Sequence, residues 1–244
     1  VETVVVTGSL VPREEVQVGV DLDGYRIVEL LADEGDRVEA GAVLARLDAD
    51  TLDIQLAQND SQLARADAGI AQARASIAEA EAAEAEARSA LARAERLKER
   101  GVTAQAALDQ ATASADAATA RLASARQSLA LAEADKALTA AQRRELELRR
   151  AKTEIKAPTA GLVLSRTARI GAIASSAGGN LFTLARDAQI ELDAEVPETV
   201  LHRIEKGQKV SVLPAGASAP IEGEVRLVSP QVDPATRLRR VRVS

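Results

Sequence analysis

Cysteine, methionine and tryptophan are absent from these 244 residues, and histidine, tyrosine and phenylalanine occur once each, as His202, Tyr25 and Phe182. Without thiols there is no thiolate nucleophile, no disulfide and no cysteine-based zinc site, and without thioethers no soft copper relay. The missing cysteines leave the redox compartment open. No run reaches the roughly 18 apolar residues of a membrane-spanning helix. Neither a signal peptide nor an initiator Met is present, which reads as a trimmed or mature chain. With 1% aromatics, a core filled by large side chains is ruled out for much of the chain, which must pack through thin, alanine-lined contacts. The charge balance, 37 acidic against 31 basic residues for a net −6, does not favour a nucleic-acid-binding surface.

What is present falls into three textures. Residues 1–47 are rich in Val, Leu, Gly and Asp, with alternating runs such as Val16–Val20 that read as short strands and turns. Residues 48–153 contain no Pro and only two Gly, in long tracts of Ala, Glu, Gln, Arg and Leu, the strong helix formers. Residues 154–244 return to strand texture and hold six of the seven prolines.

The middle texture carries a seven-residue period. Leu56, Leu63, Ile70, Ile77, Glu84 and Leu91 form one series, with a lapse at Glu84. Leu52, Asn59, Ala66, Ala73, Ala80, Ala87 and Ala94 form a second. Leu108, Ala115, Leu122 and Leu129, beside Ala111, Ala118, Ala125 and Ala132, repeat the pattern further on. These are heptad seams in which small residues let backbones approach closely. Near the midpoint, Gly101 suits the left-handed residue that ends a helix, basic Lys98 and Arg100 suit the negative helix end, and Thr103 suits an N-cap. Asp50 suits a cap before Thr51. The expectation is an antiparallel hairpin of arms 51–100 and 103–150, each roughly 75 Å long at 1.5 Å per residue. The alternative is one uninterrupted coiled coil.

The flanks share a motif. The first has Gly24, Gly35 and Gly41 followed by Leu44 and Leu47. The second has Ala157-Pro158-Thr-Ala-Gly161-Leu-Val163, then Gly171, then Gly179 with Leu181 and Leu184. Each glycine is expected to supply a positive φ where short strands reverse. These two patterns resemble the halves of a biotinyl/lipoyl domain. Such a domain cut in two by a long helical hairpin resembles the periplasmic adaptors, or membrane-fusion proteins, of HlyD-like and resistance-nodulation-division (RND) type, across essentially all 244 residues.

That resemblance implies an α+β fold. A strand over 1–15 would join a β-barrel, 16–48 with 154–185 would form a lipoyl-like barrel-sandwich hybrid, 49–153 the hairpin, and 186–244 a barrel with a short helix near Glu198–Glu205 and its last strand missing. It also implies the partners: an inner-membrane transporter (RND, with ABC or MFS as alternatives), a TolC-like outer-membrane channel and further copies in a trimer or hexamer. The setting would be the periplasm, with attachment to the inner membrane through a segment outside this chain. At the hairpin tip, Arg93, Leu97 and Thr103 around Gly101 resemble the family's channel-contacting motif, with Thr in place of Ser and the last spacing one residue short. The plain alternative is a solvated Arg93 and a merely capping Thr103.

No catalytic set is expected. His202 has no second His or Cys to share a metal, and pairs such as Glu79/Glu81 and Glu84/Glu86 lie on a solvated helix. Asn59-Asp60-Ser61 matches a glycosylation sequon but falls within a helix. A biotin- or lipoyl-carrier subunit would need a lysine at the turn joining the half-motifs, and no lysine precedes Lys98. A pure coiled-coil scaffold leaves the paired glycine motifs unexplained. No cofactor is expected.

Overall fold

The structure is a computed structural model that describes residues 4–102, 104–197, 200, 203–232 and 238–244. The chain divides into two units, residues 1–48 with 152–244, and residues 49–151.

In the first unit both half-motifs contribute strands to both faces of one sandwich. β2 (Glu15–Val18), β8 (Phe182–Arg186), β7 (Gly161–Arg166) and β4 (Arg37–Val38) form a four-stranded sheet in that order. β3 (Ile27–Leu30), β5 (Val43–Leu47) and β6 (Glu154–Lys156) form a three-stranded one. Ile27, Leu44, Leu47, Val163, Phe182 and Leu184 lie buried in the common core, with Tyr25 packed at its margin. The only two aromatics of the chain thus serve one core.

Gly24, Gly35, Gly41, Gly171 and Gly179 have φ between 82° and 90°, as the turn argument requires. Gly161 departs from it. It sits in β7 without a positive φ, and a Cβ there would meet the Ala185 carbonyl oxygen at 2.4 Å. Close approach of β8, not turn geometry, demands that glycine.

The barrel strands follow in the same unit. β1 (Gly8–Pro12), β9 (Ile190–Pro197), β12 (Leu238–Val243), β11 (Ile221–Val232) and β10 (Lys209–Val212) lie side by side in that order, all antiparallel. Val196, Val225, Val241 and Val243 make its small core. β1 pairs with β9 in a register that runs from Gly8 opposite Ala194 to Pro12 opposite Ile190. Much of the helix expected near 198–205, including His202, lies outside the described residues.

The second unit is the hairpin: α1 (Asp50–Glu99) and α2 (Gln105–Ala151). Ala49, not Asp50, occupies the cap position of α1. Asp50 and Asp53 instead sit in the first turn, where negative charge suits the positive helix end. Every position in the heptad series named above is buried or half-buried, while the intervening positions are exposed with few exceptions. Leu52, Asn59 and Ile70 on α1 and Ala115, Ala118 and Leu122 on α2 are the most enclosed.

The lapse at Glu84 has a cause. Its carboxylate accepts from the Thr119 hydroxyl across the seam at 3.0 Å and pairs with Arg88 at 3.0 Å. Along one edge Asp53–Arg150, Asp60–Arg143 and Asp67–Lys136 pair at 2.5, 2.5 and 2.6 Å. The numbers climb by seven on one helix as they fall by seven on the other. All six side chains are 40–56% exposed, so each pair contributes at most about 1 kcal/mol. Their effect is to set register.

Candidate docking tip of the helical hairpin

α1 ends in a geometry that its sequence dictates. The Val102 N–H donates to the Leu97 carbonyl at 3.0 Å and the Gly101 N–H donates to the Lys98 carbonyl at 2.9 Å, with Gly101 at φ 73°. This pair of reversed bonds closes the last turn around a left-handed residue, the Schellman arrangement. A Cβ on Gly101 would meet no atom. The glycine is therefore required by backbone conformation alone.

Arg93 and Leu97 lie four residues apart on successive turns of one face of α1. Arg93 is exposed, and its Nη1 donates to Ser89 Oγ at 2.8 Å. Leu97 is 43% exposed. Gly101 stands at the turn, and Thr103 lies outside the described residues. The sequence argument missed Val102, which at 73% exposure is the most open large apolar residue of the hairpin. The available signal was its position just after the turn glycine, where an apolar residue ordinarily packs back on the helix.

The tip is also cationic within an acidic chain. Arg93, Arg96, Lys98 and Arg100 face only Glu95 and Glu99 between residues 93 and 102. Two exposed apolar groups, Leu97 and Val102, thus share this short stretch with four cationic side chains.

A cavity of about 300 Å³ in the barrel is walled by residues such as Val6, Leu192, Val196, Ile204 and Val241, with Arg203 and Lys209 at its edge. Among the described residues no cluster of His, Asp or Glu could hold a metal ion, and no helix is long and apolar enough to cross a membrane. One member of each acidic pair of α1 is drawn into structure: Glu81 bonds Arg126 at 3.1 Å, and Glu84 bonds Thr119 and Arg88.

Two family models match. The barrel-sandwich hybrid domain of RND membrane-fusion proteins covers residues 14–184, and the CusB-like β-barrel domain covers residues 189–244. Among solved structures, the chain is similar to the periplasmic adaptor protein EmrA (15% identity, TM-score 0.56, covering 96% of this chain and 89% of that one). It is also similar to MacA from Actinobacillus actinomycetemcomitans (21% identity, TM-score 0.57, 98% and 71%). A third is a MacA–MexA chimera carrying the Pseudomonas aeruginosa MexA α-hairpin domain (18% identity, TM-score 0.50, 98% and 71%). At these identities the likeness is one of fold. No curated protein matches the chain at the level of sequence.

Proposed function

The chain belongs to the family of RND membrane-fusion proteins, periplasmic adaptors by kinship, and from that premise we propose that it bridges an inner-membrane transporter and a TolC-like outer-membrane channel. The transporter is of RND type, with ABC and MFS transporters as the alternatives, and the adaptor acts in the periplasm as a trimer or hexamer. It moves cargo by bracing a conduit, not by chemistry. Its contribution is reach and alignment.

The observation that carries this reading is the split sandwich. A domain whose two halves share both sheets is interrupted by arms of 50 and 47 residues, roughly 70–75 Å of helix, that end in an exposed cationic and apolar tip. A carrier domain would keep a short lysine-bearing turn there. Arg93, Leu97, Gly101 and Thr103 are assigned to the channel contact, with Val102 added from its exposure.

Co-purification tests the reading. A tagged chain taken from membranes should bring with it both a transporter and a channel. A tip-exchanged variant, with residues 93–103 replaced by a neutral helix–Gly–helix turn, should keep the transporter and lose the channel. Recovery of neither partner with the native tip would overturn the bridging role.

A further inference from the structure

The two edges of the hairpin seam differ in chemistry. Along one, the ladder of Asp53, Asp60 and Asp67 continues through Arg74–Glu133 at 3.9 Å and Glu81–Arg126 at 3.1 Å, so five ion pairs cross from arm to arm. The other edge of α1 carries Gln55, Gln62, Gly69, Ser76, Ala83 and Ala90 at the same seven-residue interval, and none is charged. One edge is zipped by charge and the other is neutral.

At the end remote from the tip, the neutral edge holds a trough of about 290 Å³. Five of the nine Asn and Gln side chains of residues 49–151 line it: Gln55, Gln58, Asn59 and Gln62 of α1, and Gln142 of α2. The four glutamines are exposed, and none makes a side-chain hydrogen bond within the chain among the described residues. The two charged groups of the lining, Glu145 and Arg149, are paired with each other at 2.6 Å. The trough therefore offers amide donors and acceptors without net charge.

Asn59 is the buried member of that lining, 4% exposed. It occupies a seam position that leucine or alanine fills in the neighbouring heptads. Its Nδ2 donates to the Thr139 carbonyl at 3.3 Å, and its Oδ1 is buried with no partner among the described residues. A buried acceptor without a donor destabilises a fold that an apolar side chain would leave intact. A lone buried Asn is commonly kept to fix register. Here the turn at Gly101 and the five ion pairs already fix it. The orphan acceptor points instead to a donor from another molecule.

We propose that the trough binds an extended, uncharged segment of a partner protein. A backbone N–H of that segment donates to Asn59 Oδ1, and the glutamine amides bond the peptide groups on either side. The long, unattached glutamines turn aside to admit the N–H. From Gln55 to Gln62 the helix rises about 10.5 Å, the length of about three residues of extended chain. A charged side chain entering the trough would lose water and meet no opposite charge that is not already paired, so the site selects neutral segments. A sugar ring would find no aromatic face, since Tyr25 and Phe182 both serve the sandwich core. The site goes beyond the bridging role, which uses the tip, and gives the chain a second protein contact.

The test reads the side-chain amide resonances of the full chain by NMR while a blocked octapeptide of alternating serine and threonine is added. The expected result is a saturable shift of Gln55, Gln58, Asn59, Gln62 and Gln142, with Gln72 unmoved. Asn59→Leu, which completes the apolar seam and should keep the hairpin folded, should weaken binding at least tenfold. Gln55→Ala/Gln62→Ala should weaken it about fivefold, and Gln72→Ala should leave it unchanged.

Shifts that do not saturate, or binding that survives Asn59→Leu, would overturn the proposal. So would equal binding of an octapeptide of alternating glutamate and threonine. A disaccharide of N-acetylglucosamine that moves the same amides at lower concentration would overturn it in favour of a glycan site. The titration involves neither transporter nor channel, so its failure leaves the adaptor reading standing. Peptide binding by a chain that recovers neither partner from membranes would sink the adaptor and spare the trough.

Discussion

Glu191 in β9 is the carboxylate whose removal should be felt most. Its side chain is 1% exposed and is grasped by Arg226 of β11 through two hydrogen bonds, that from Nη2 at 2.7 Å, with Arg13 Nε at 3.5 Å. The Arg226 hydrogen bonds hold its carboxyl below the ordinary glutamate value against the opposing effect of burial, and the charges of Arg226, Arg13 and Arg242 add to the lowering. Glu191→Gln keeps the shape and removes the charge.

Breaking a fully buried ion pair costs about 3–5 kcal/mol. Here Arg226 is 33% and Arg13 46% exposed, so water recovers part of the loss, and about 2 kcal/mol is expected. For a unit of this size that lowers the melting temperature by about 4–8 °C.

The two aromatics sit with the sandwich core, so the barrel offers no aromatic signal, and amide hydrogen exchange across β9, β11 and β12 is the fitting assay. The pH dependence follows from the sign of the shift. A lowered folded-state value means the stabilisation is complete above the unfolded value of about 4.3 and is lost as pH falls through the folded one. The gap between native and variant should therefore be widest near neutrality and close in acid. A difference below about 0.5 kcal/mol at pH 7, or one that stays constant down to pH 3, refutes the reasoning.

Three further outcomes are expected. Arg93→Asp should change thermal stability by no more than about 0.5 kcal/mol, as befits an exposed side chain, yet abolish export in cells, while a reversal at mid-arm Arg74 is milder; full export by the Arg93 variant would move the channel contact elsewhere. Gly101→Ala should lower hairpin stability by about 1 kcal/mol in denaturant unfolding, since the left-handed backbone and not any contact penalises the added methyl, and an unchanged midpoint would contradict that. Gly161→Ala should destabilise the sandwich by about 2 kcal/mol or more, because the new Cβ meets the Ala185 carbonyl at 2.4 Å; near-wild-type melting would show that β7 and β8 separate freely.

What the sequence disclosed and what it hid divide along range. The inner heptads were legible residue by residue because a helix writes its burial at a fixed local period, and the hairpin turn was legible at Gly101 for the same reason. Thr119 as the partner of Glu84 was not, since the two lie 35 residues apart and nothing local links them. The same holds for Glu191 and Arg226, whose pairing needs the strand order β9-β12-β11 first. Gly161 was recognised as necessary for the wrong reason: a glycine motif does not reveal whether it serves a turn or a close neighbour. At the tip, Arg93 and Leu97 were picked out through the family resemblance, whereas Val102 emerged only when its exposure was known.

The split of the sandwich bears finally on how the chain folds. Leu47 and Thr153 are bonded neighbours, the Leu47 N–H donating to the Thr153 carbonyl at 2.8 Å, and β5 pairs with β6 across roughly a hundred intervening residues. As a loose loop that segment would impose a closure entropy of about 4 kcal/mol before those strands gained anything. The hairpin removes the search. Its contacts form between arms that zip from their own turn, and Asp53 beside Arg150 brings the two ends together without help from the rest of the chain. The helices should thus form early and deliver both halves of the sandwich at once, turning a long-range pairing problem into a local one.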